Sequence, residues 1–395
     1  MQPSTLAQLG VTGLLAASVP LAMVWISSDA NKYRKLVWTI AFLTFDLIVF
    51  GAFTRLTNSG LGCPDWPGCY GLANPFLAHE QISAAEALMP TGPVSVAKAW
   101  IEMIHRYLAM GIGVLILTLL GKAVLEWRKE RNAAFAPALP AALFAFVCVQ
   151  GAFGAWTVTL KLQPVIVTIH LLLGMGLLAL VVWLGGRENH LIALAAPPAP
   201  SPVVRLLRPM AGLRTLRALA GLSALVLLIQ LALGAWVSTN YATLACADFP
   251  LCGGQLMPAM DFEHGFTLWR ELGKTAAGHY IPFQALTAIH WVHRNFALVV
   301  LAVLGWTAWC ARRQPSLRRT AGRIALVLGA QAASGVATVY FSFPLAIAVL
   351  HNAGAALLVL LVTMLNYQTK YLLAPAQRRP ASSPASSQSP ASHLP

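Results

Sequence analysis

Residues 51–69 read GAFTRLTNSGLGCPDWPGC, and residues 234–252 read GAWVSTNYATLACADFPLC. The two stretches align without a gap at an offset of 183, setting Gly51 on Gly234, Cys63 on Cys246, Asp65 on Asp248, Pro67 on Pro250 and Cys69 on Cys252. Each follows a long apolar block, and the next apolar block carries His-Arg, at His105-Arg106 and His293-Arg294. Two blocks further on, each half offers another histidine, His170 and His351. The chain is one unit used twice, and such repetition decides the architecture before any local reading does. A further echo, Gln-x-x-x-Gly, recurs at Gln150/Gly154, Gln230/Gly234 and Gln331/Gly335, where small residues let helices approach closely.

The apolar blocks have the length of about 20 residues that a helix needs to cross ~30 Å of hydrocarbon. Nine are present, centred near residues 16, 45, 112, 145, 175, 227, 298, 331 and 356. With 57% hydrophobic residues, 10% charged residues and a mean hydropathy of +0.67, the chain has too little charge to cover a soluble surface of its size. In lipid the backbone must satisfy its own hydrogen bonds, so the spans are helices. The expected fold is an all-α polytopic membrane protein built from two four-helix bundles, residues 35–185 and 216–368. A basic, Pro-rich cytoplasmic linker, 186–215, joins them. Residues 1–34 add an extra N-terminal transmembrane helix and a cytoplasmic turn, and the Pro-, Ser- and Ala-rich tail, 369–395, is expected to be disordered. The first block, about 6–27, has no basic residue before it and three after it, the reverse of a cleaved signal peptide. It is expected to be retained, with the N-terminus outside.

A net charge of +14 invites a nucleic-acid partner, but its distribution points to a membrane. Of 27 Lys and Arg residues, 20 fall in alternate loops and the tail, on one side. Five lie opposite (Arg55, Lys98, Lys161, Arg270 and Lys274), and Arg106 and Arg294 fall inside helices. The positive-inside rule makes the rich side cytoplasmic.

His105, His170, His290, His293 and His351 lie within the apolar blocks, where ionisable groups are costly and mark function. Helices entering from the outer side near residues 97 and 164 put His105 and His170 roughly 9–12 Å deep. Entry near 284 and 344 puts His293 and His351 at roughly 14 and 11 Å by the same rise. Two imidazoles from different helices at one level suit the axial positions of a haem iron. They suit zinc less, since zinc wants three or four ligands. The competing reading is four neutral, hydrogen-bonded packing residues. Arg106 and Arg294 either pair with anionic haem propionates or snorkel to the interface. His290, one turn before His293, is an alternative ligand or a tuning neighbour.

The halves differ one turn before the first histidine, where Glu102 stands in one and His290 in the other. A membrane carboxylate beside a haem ligand can accept a proton if burial raises its pKa; its other readings are a group solvated near the interface or a pair with Arg106, four residues on. Asp46 is a polar packing contact or part of a proton path. On the oxidising outer side, Cys63–Cys69 and Cys246–Cys252 are each expected to bridge within their loop, as structural or redox-active disulfides. Cys148 and Cys310 read as small apolar residues.

The stretch from Gly51 to Gly71, with Glu102-Met-Ile-His105-Arg106, resembles the haem A synthases over roughly residues 35–370. That resemblance implies an eight-helix, pseudo-twofold pair of bundles in a bacterial inner membrane. It implies haem b as cofactor on His293 and His351 with Arg294 nearby, and substrate haem O near His105, His170 and Arg106. Glu102 matches the family's catalytic carboxylate. The implied reaction oxidises the C8 methyl of haem O to a formyl group with oxygen from water, for terminal oxidase biogenesis. Implied partners are haem O synthase, oxidase assembly proteins and an electron acceptor such as a quinone. The additional N-terminal helix departs from the family pattern. Two other functions fit the residues alone: a diheme membrane electron carrier, with both haems permanent and unchanged, and a haem transporter, with transient histidine ligands.

Overall fold

The computed structural model describes residues 3–131, 135–195 and 210–373. Eleven α-helices occupy them: α1 (Pro3–Ile26), α2 (Lys32–Leu56), α3 (His79–Leu88), α4 (Val96–Glu130), α5 (Ala138–Thr159), α6 (Pro164–Ala195), α7 (Met210–Thr239), α8 (Phe262–Phe266), α9 (Phe283–Arg312), α10 (Arg318–Tyr340) and α11 (Leu345–Leu373). All but α3 and α8 are long and apolar enough to cross a membrane, and each expected block centre falls inside one of them. The protein is a multi-pass membrane protein. The central part of the expected linker and nearly all of the expected disordered tail, with Arg205, Arg208, Arg378 and Arg379, lie outside the described residues. Within them, α6 continues past residue 185 to Ala195 and α7 begins at Met210, so both helices run into the expected linker.

Helices α2, α4, α5 and α6 pack in a closed ring, each touching the next, and α7, α9, α10 and α11 form a second ring. The rings meet through α2 and α6 on one side and α7 and α11 on the other. The seam is apolar, with Ile40 of α2, Leu178 and Val182 of α6, Val226 of α7 and Leu358 and Val362 of α11 in one buried cluster. Lipid tails are as apolar as these side chains, so shape complementarity and interhelical hydrogen bonds hold the helices together rather than expulsion of water. At the end of the seam nearest the disulfide loops, aligned positions of the two repeats meet. Arg55 donates to the Ser238 carbonyl and lies 4.0 Å over the Tyr241 ring, whose hydroxyl donates to the Asn58 side chain at 2.9 Å.

The repeat is visible in the backbone as well as the sequence. Asn58 and Tyr241 both adopt left-handed conformations where α2 and α7 end. Lys161-Leu162 and Ser342-Phe343 do so in the tight turns before α6 and α11. In each long outer loop an aspartate closes the same turn. Asp65 accepts the N–H groups of Tyr70 and Gly71 at 2.7 and 2.6 Å, and Asp248 those of Gly253 and Gly254 at 2.7 and 2.8 Å. Both disulfides are formed, Cys63–Cys69 and Cys246–Cys252, and all four cysteines are buried.

Helix α1 stands against α4 and touches α2. Its outer end closes on the first disulfide loop. Thr5 donates to the Gly71 carbonyl at 3.1 Å, and Leu9 shares a buried cluster with Cys63, Cys69, Ile82 and Met103. Neither α3 nor α8 was expected, since both are too short to register as apolar blocks; Asp261 caps α8 by accepting the His264 N–H at 3.0 Å.

The N–H groups of Gly254 and Gly253 hold the Asp248 carboxyl below the usual carboxylate range. The clamp therefore binds the ionised form, is complete above a pH of about 4, and weakens as pH falls through the lowered folded value. Protection of the Gly253 and Gly254 amides from hydrogen exchange should drop over that range in the wild type and be flat in Asp248→Asn. Matching profiles in the two proteins would refute the clamp.

Candidate functional site

Four membrane histidines occupy equivalent places, His105 on α4, His170 on α6, His293 on α9 and His351 on α11. Each ring lies against a glycine of the preceding membrane helix. A Cβ placed on Gly51 would sit 3.0 Å from the Cε1 atom of His105, and one on Gly154 3.2 Å from that of His170. The corresponding separations are 2.9 Å for Gly234 and His293, and 3.3 Å for Gly335 and His351. The sequence echo thus has a different meaning from the one expected. The missing side chain makes room for an imidazole, not for a neighbouring backbone.

The two rings of the C-terminal half, His293 and His351, face a common space between their helices. In the C-terminal half both rings line one cavity of about 260 Å³, together with Gln230, Gly234, Gln331 and Gly335. Its remaining wall is mostly apolar, and Leu56, Leu171 and Met175 reach into it from the other half. Among the described residues no three His, Cys, Asp or Glu side chains cluster as a metal-binding group. What this interior offers is imidazoles in pairs, in an apolar slot, with their seats left free of Cβ atoms. In the C-terminal half that donor set and that cradle would suit a flat, largely apolar macrocycle whose iron His293 and His351 would hold and which would supply one-electron redox chemistry.

Arg106 and Arg294, next to the first histidine of each half, turn towards the outer loops. Arg106 Nη1 donates to the carbonyls of Asp65 at 2.9 Å and Gly68 at 2.6 Å. Arg294 Nη1 donates to the aligned carbonyls, those of Asp248 at 2.7 Å and Leu251 at 3.2 Å. Each guanidinium donates to carbonyls of the disulfide loop, a role that neither of the two sequence readings contained. Arg294 also borders the cavity.

The halves diverge in what fills the space between arginine and loop. In the N-terminal half Glu102 accepts from the Cys63 N–H at 2.8 Å through Oε2 and from Arg106 through Oε1, and it is buried. In the C-terminal half Arg294 donates directly to the Cys246 carbonyl and, through Nε, to His290 Nε2 at 3.1 Å. Glu102 therefore both pairs with Arg106 and reaches the disulfide loop. His290 lines the cavity beside Arg294. Asp46 is exposed on α2, Cys148 is exposed and Cys310 half-buried.

Residues 34–363 match the family model of the cytochrome oxidase assembly proteins. A relative named Heme A synthase, from Shewanella oneidensis, is 35% identical over 337 residues, covering 84% of this chain and 96% of its own. The chain belongs to the haem A synthase family. Two other relatives of the same name, from Rhodospirillum centenum and Caulobacter vibrioides, are 30% and 29% identical, over 89% and 88% of this chain and 91% and 98% of their own. The family match begins at residue 34, so α1 stands outside it.

The glycine seats can be tested without any ligand. Gly234→Val should cost ~1–3 kcal/mol, the range for overpacking a filled interior. Gly221→Val, on the same helix with nothing within 4 Å of its Cβ position, should cost far less. Equal losses in melting temperature would remove the seat.

Proposed function

We propose that this chain is a haem A synthase that oxidises the C8 methyl of haem O to a formyl group, with water as the oxygen source. The net change is methyl plus one water to formyl, with release of four protons and four electrons. In this reading the substrate is held in the N-terminal bundle, residues 35–185, near His105 and His170. Haem b is held in the C-terminal bundle, residues 216–368, by His293 and His351. When bound, haem b supplies a one-electron redox centre. The two bundles are related by a pseudo-twofold axis, a relation supported by the contacts between aligned residues at the seam. Electrons leave to an acceptor such as a quinone, and haem O synthase and oxidase assembly proteins are the partners.

The observation that carries the reading is the asymmetry one turn before the first histidine. A permanent two-haem wire has no use for a proton acceptor in one half only. Glu102 is a buried carboxylate one helical turn from His105, tied to the loop N–H of Cys63 and to Arg106. Those two donors hold it in place towards the outer side, where protons released from the substrate have a short route to water. Its proposed role is to accept them. Arg106 and Arg294 keep a positive charge at the outer rim of each bundle, where the anionic propionates of a porphyrin would be balanced, while fixing the loops above.

Glu102→Gln retains an acceptor for the Cys63 N–H and loses the base. It should keep the haem b spectrum and slow conversion of haem O by about 100-fold or more, the usual weight of a general base. Pigments extracted after expression with a haem O source give the measurement. Normal haem A yield from this variant would end the proton-acceptor assignment, and unchanged haem O from well-folded wild type would favour a carrier or transporter instead. His293→Ala or His351→Ala should abolish the low-spin haem b signal; a wild-type spectrum from either would remove that ligand.

A further inference from the structure

Gln150, Gln230 and Gln331 stand one turn before Gly154, Gly234 and Gly335, on the same faces of α5, α7 and α10. All three side chains make the same contact. Each Nε2 amide donates to the backbone carbonyl of the histidine seated on that glycine: Gln150 to His170 at 3.1 Å, Gln230 to His293 at 3.3 Å and Gln331 to His351 at 3.0 Å. A helical carbonyl already accepts the N–H four residues ahead, so the amide takes its second lone pair. Gln230 and Gln331 also reach a ring nitrogen, at 3.2 and 3.3 Å. Glycine fixes one face of the ring, and glutamine fixes the stretch of helix that carries it.

The fourth histidine lacks the second half of this device. The position aligned with Gln230 is Leu47, one turn before Gly51 on α2. Leu47 packs against the apolar core and has no amide to offer. His105 keeps its glycine seat, and its buried Nδ1 atom, like that of His170, makes no hydrogen bond; what it alone among the four lacks is a glutamine amide on its backbone carbonyl.

We propose that Gln150, Gln230 and Gln331 are positioning residues that hold three imidazoles as fixed ligands, while Leu47 leaves His105 as the releasable ligand through which the haem substrate is exchanged. This rests on the function proposed above. A resident cofactor is best served by two held ligands. A substrate that must depart once oxidised needs one that lets go, and the missing tie lies in the half assigned to the substrate. Hydrogen bonds behind a metal-bound histidine set its orientation and hold on the metal.

Carbon monoxide binding to the reduced, haem-loaded, full-length protein in nanodiscs reads ligand release without turnover, because a six-coordinate iron accepts the gas only after an axial ligand leaves. The wild type should show a fast phase from the N-terminal site and a slow one from the C-terminal site. Gln230→Leu should accelerate the slow phase about tenfold, equivalent to ~1.4 kcal/mol on the barrier, and leave the fast phase alone. Leu47→Gln should slow the fast phase by a similar factor, and Leu47→Met, which changes packing but adds no donor, should leave it unchanged. A folded, haem-loaded Leu47→Gln protein with wild-type kinetics overturns the inference, as do equal rates from the two wild-type sites. Wild-type protein without any bis-histidine haem would instead sink the proposed function, and this inference with it.

Discussion

An imidazole ring set between two membrane helices needs space that only a missing Cβ provides. This constraint is met four times, at Gly51, Gly154, Gly234 and Gly335, and the rest of the site is organised around it. In a bilayer, apolar burial gives helices little reason to prefer one neighbour over another, so shape and interhelical hydrogen bonds decide the packing. A ring in a notch supplies shape; a glutamine on a helical carbonyl supplies the bond. Structural cohesion and the placement of the imidazoles therefore come from the same contacts.

The arginines extend that economy to the outer surface. Because Arg106 and Arg294 directly follow a site histidine, the register of α4 or α9 sets the ring and the disulfide loop together. Displacing either helix would move ring and loop as one. The two halves share this frame and differ in the group one turn before the histidine. Glu102 mediates between guanidinium and loop on one side, whereas His290 leaves Arg294 in direct contact with the Cys246 carbonyl on the other. A chemical distinction between halves can thus arise without disturbing the scaffold that both use.

Hydropathy made the nine spans legible, because length and apolarity are properties of contiguous residues. The duplication and the recurrence of histidines at matched places were legible for a related reason: they are matters of order and spacing. Orientation was not. Arg106 and Arg294 announce a charge in the sequence, but the carbonyls they satisfy come from residues some forty positions earlier, and only the folded loop brings Asp65 and Gly68 to Arg106. Gly154 and Gly335 were visible as small residues, yet what faced them was not. Asp65 and Asp248, aligned in the repeat, passed unremarked as site-shaping residues because a carboxylate clamp on backbone N–H groups depends on turn geometry. Helices α3 and α8 escaped because ten or fewer residues of mixed polarity carry too weak a period.

At the seam between the halves, Arg55 and Asn58 each touch residues that occupy their own places in the other copy or lie beside them. Two identical chains assembled in this manner would bring arginine against arginine, and like charges at close range in a poorly polarisable setting repel strongly. Joined in one polypeptide, the copies escape that rule. Each self-facing position becomes two that mutate separately, so a cation on one side can acquire an aromatic ring on the other. Repetition within one chain does more than tether two bundles: it releases the line of contact between them from symmetry.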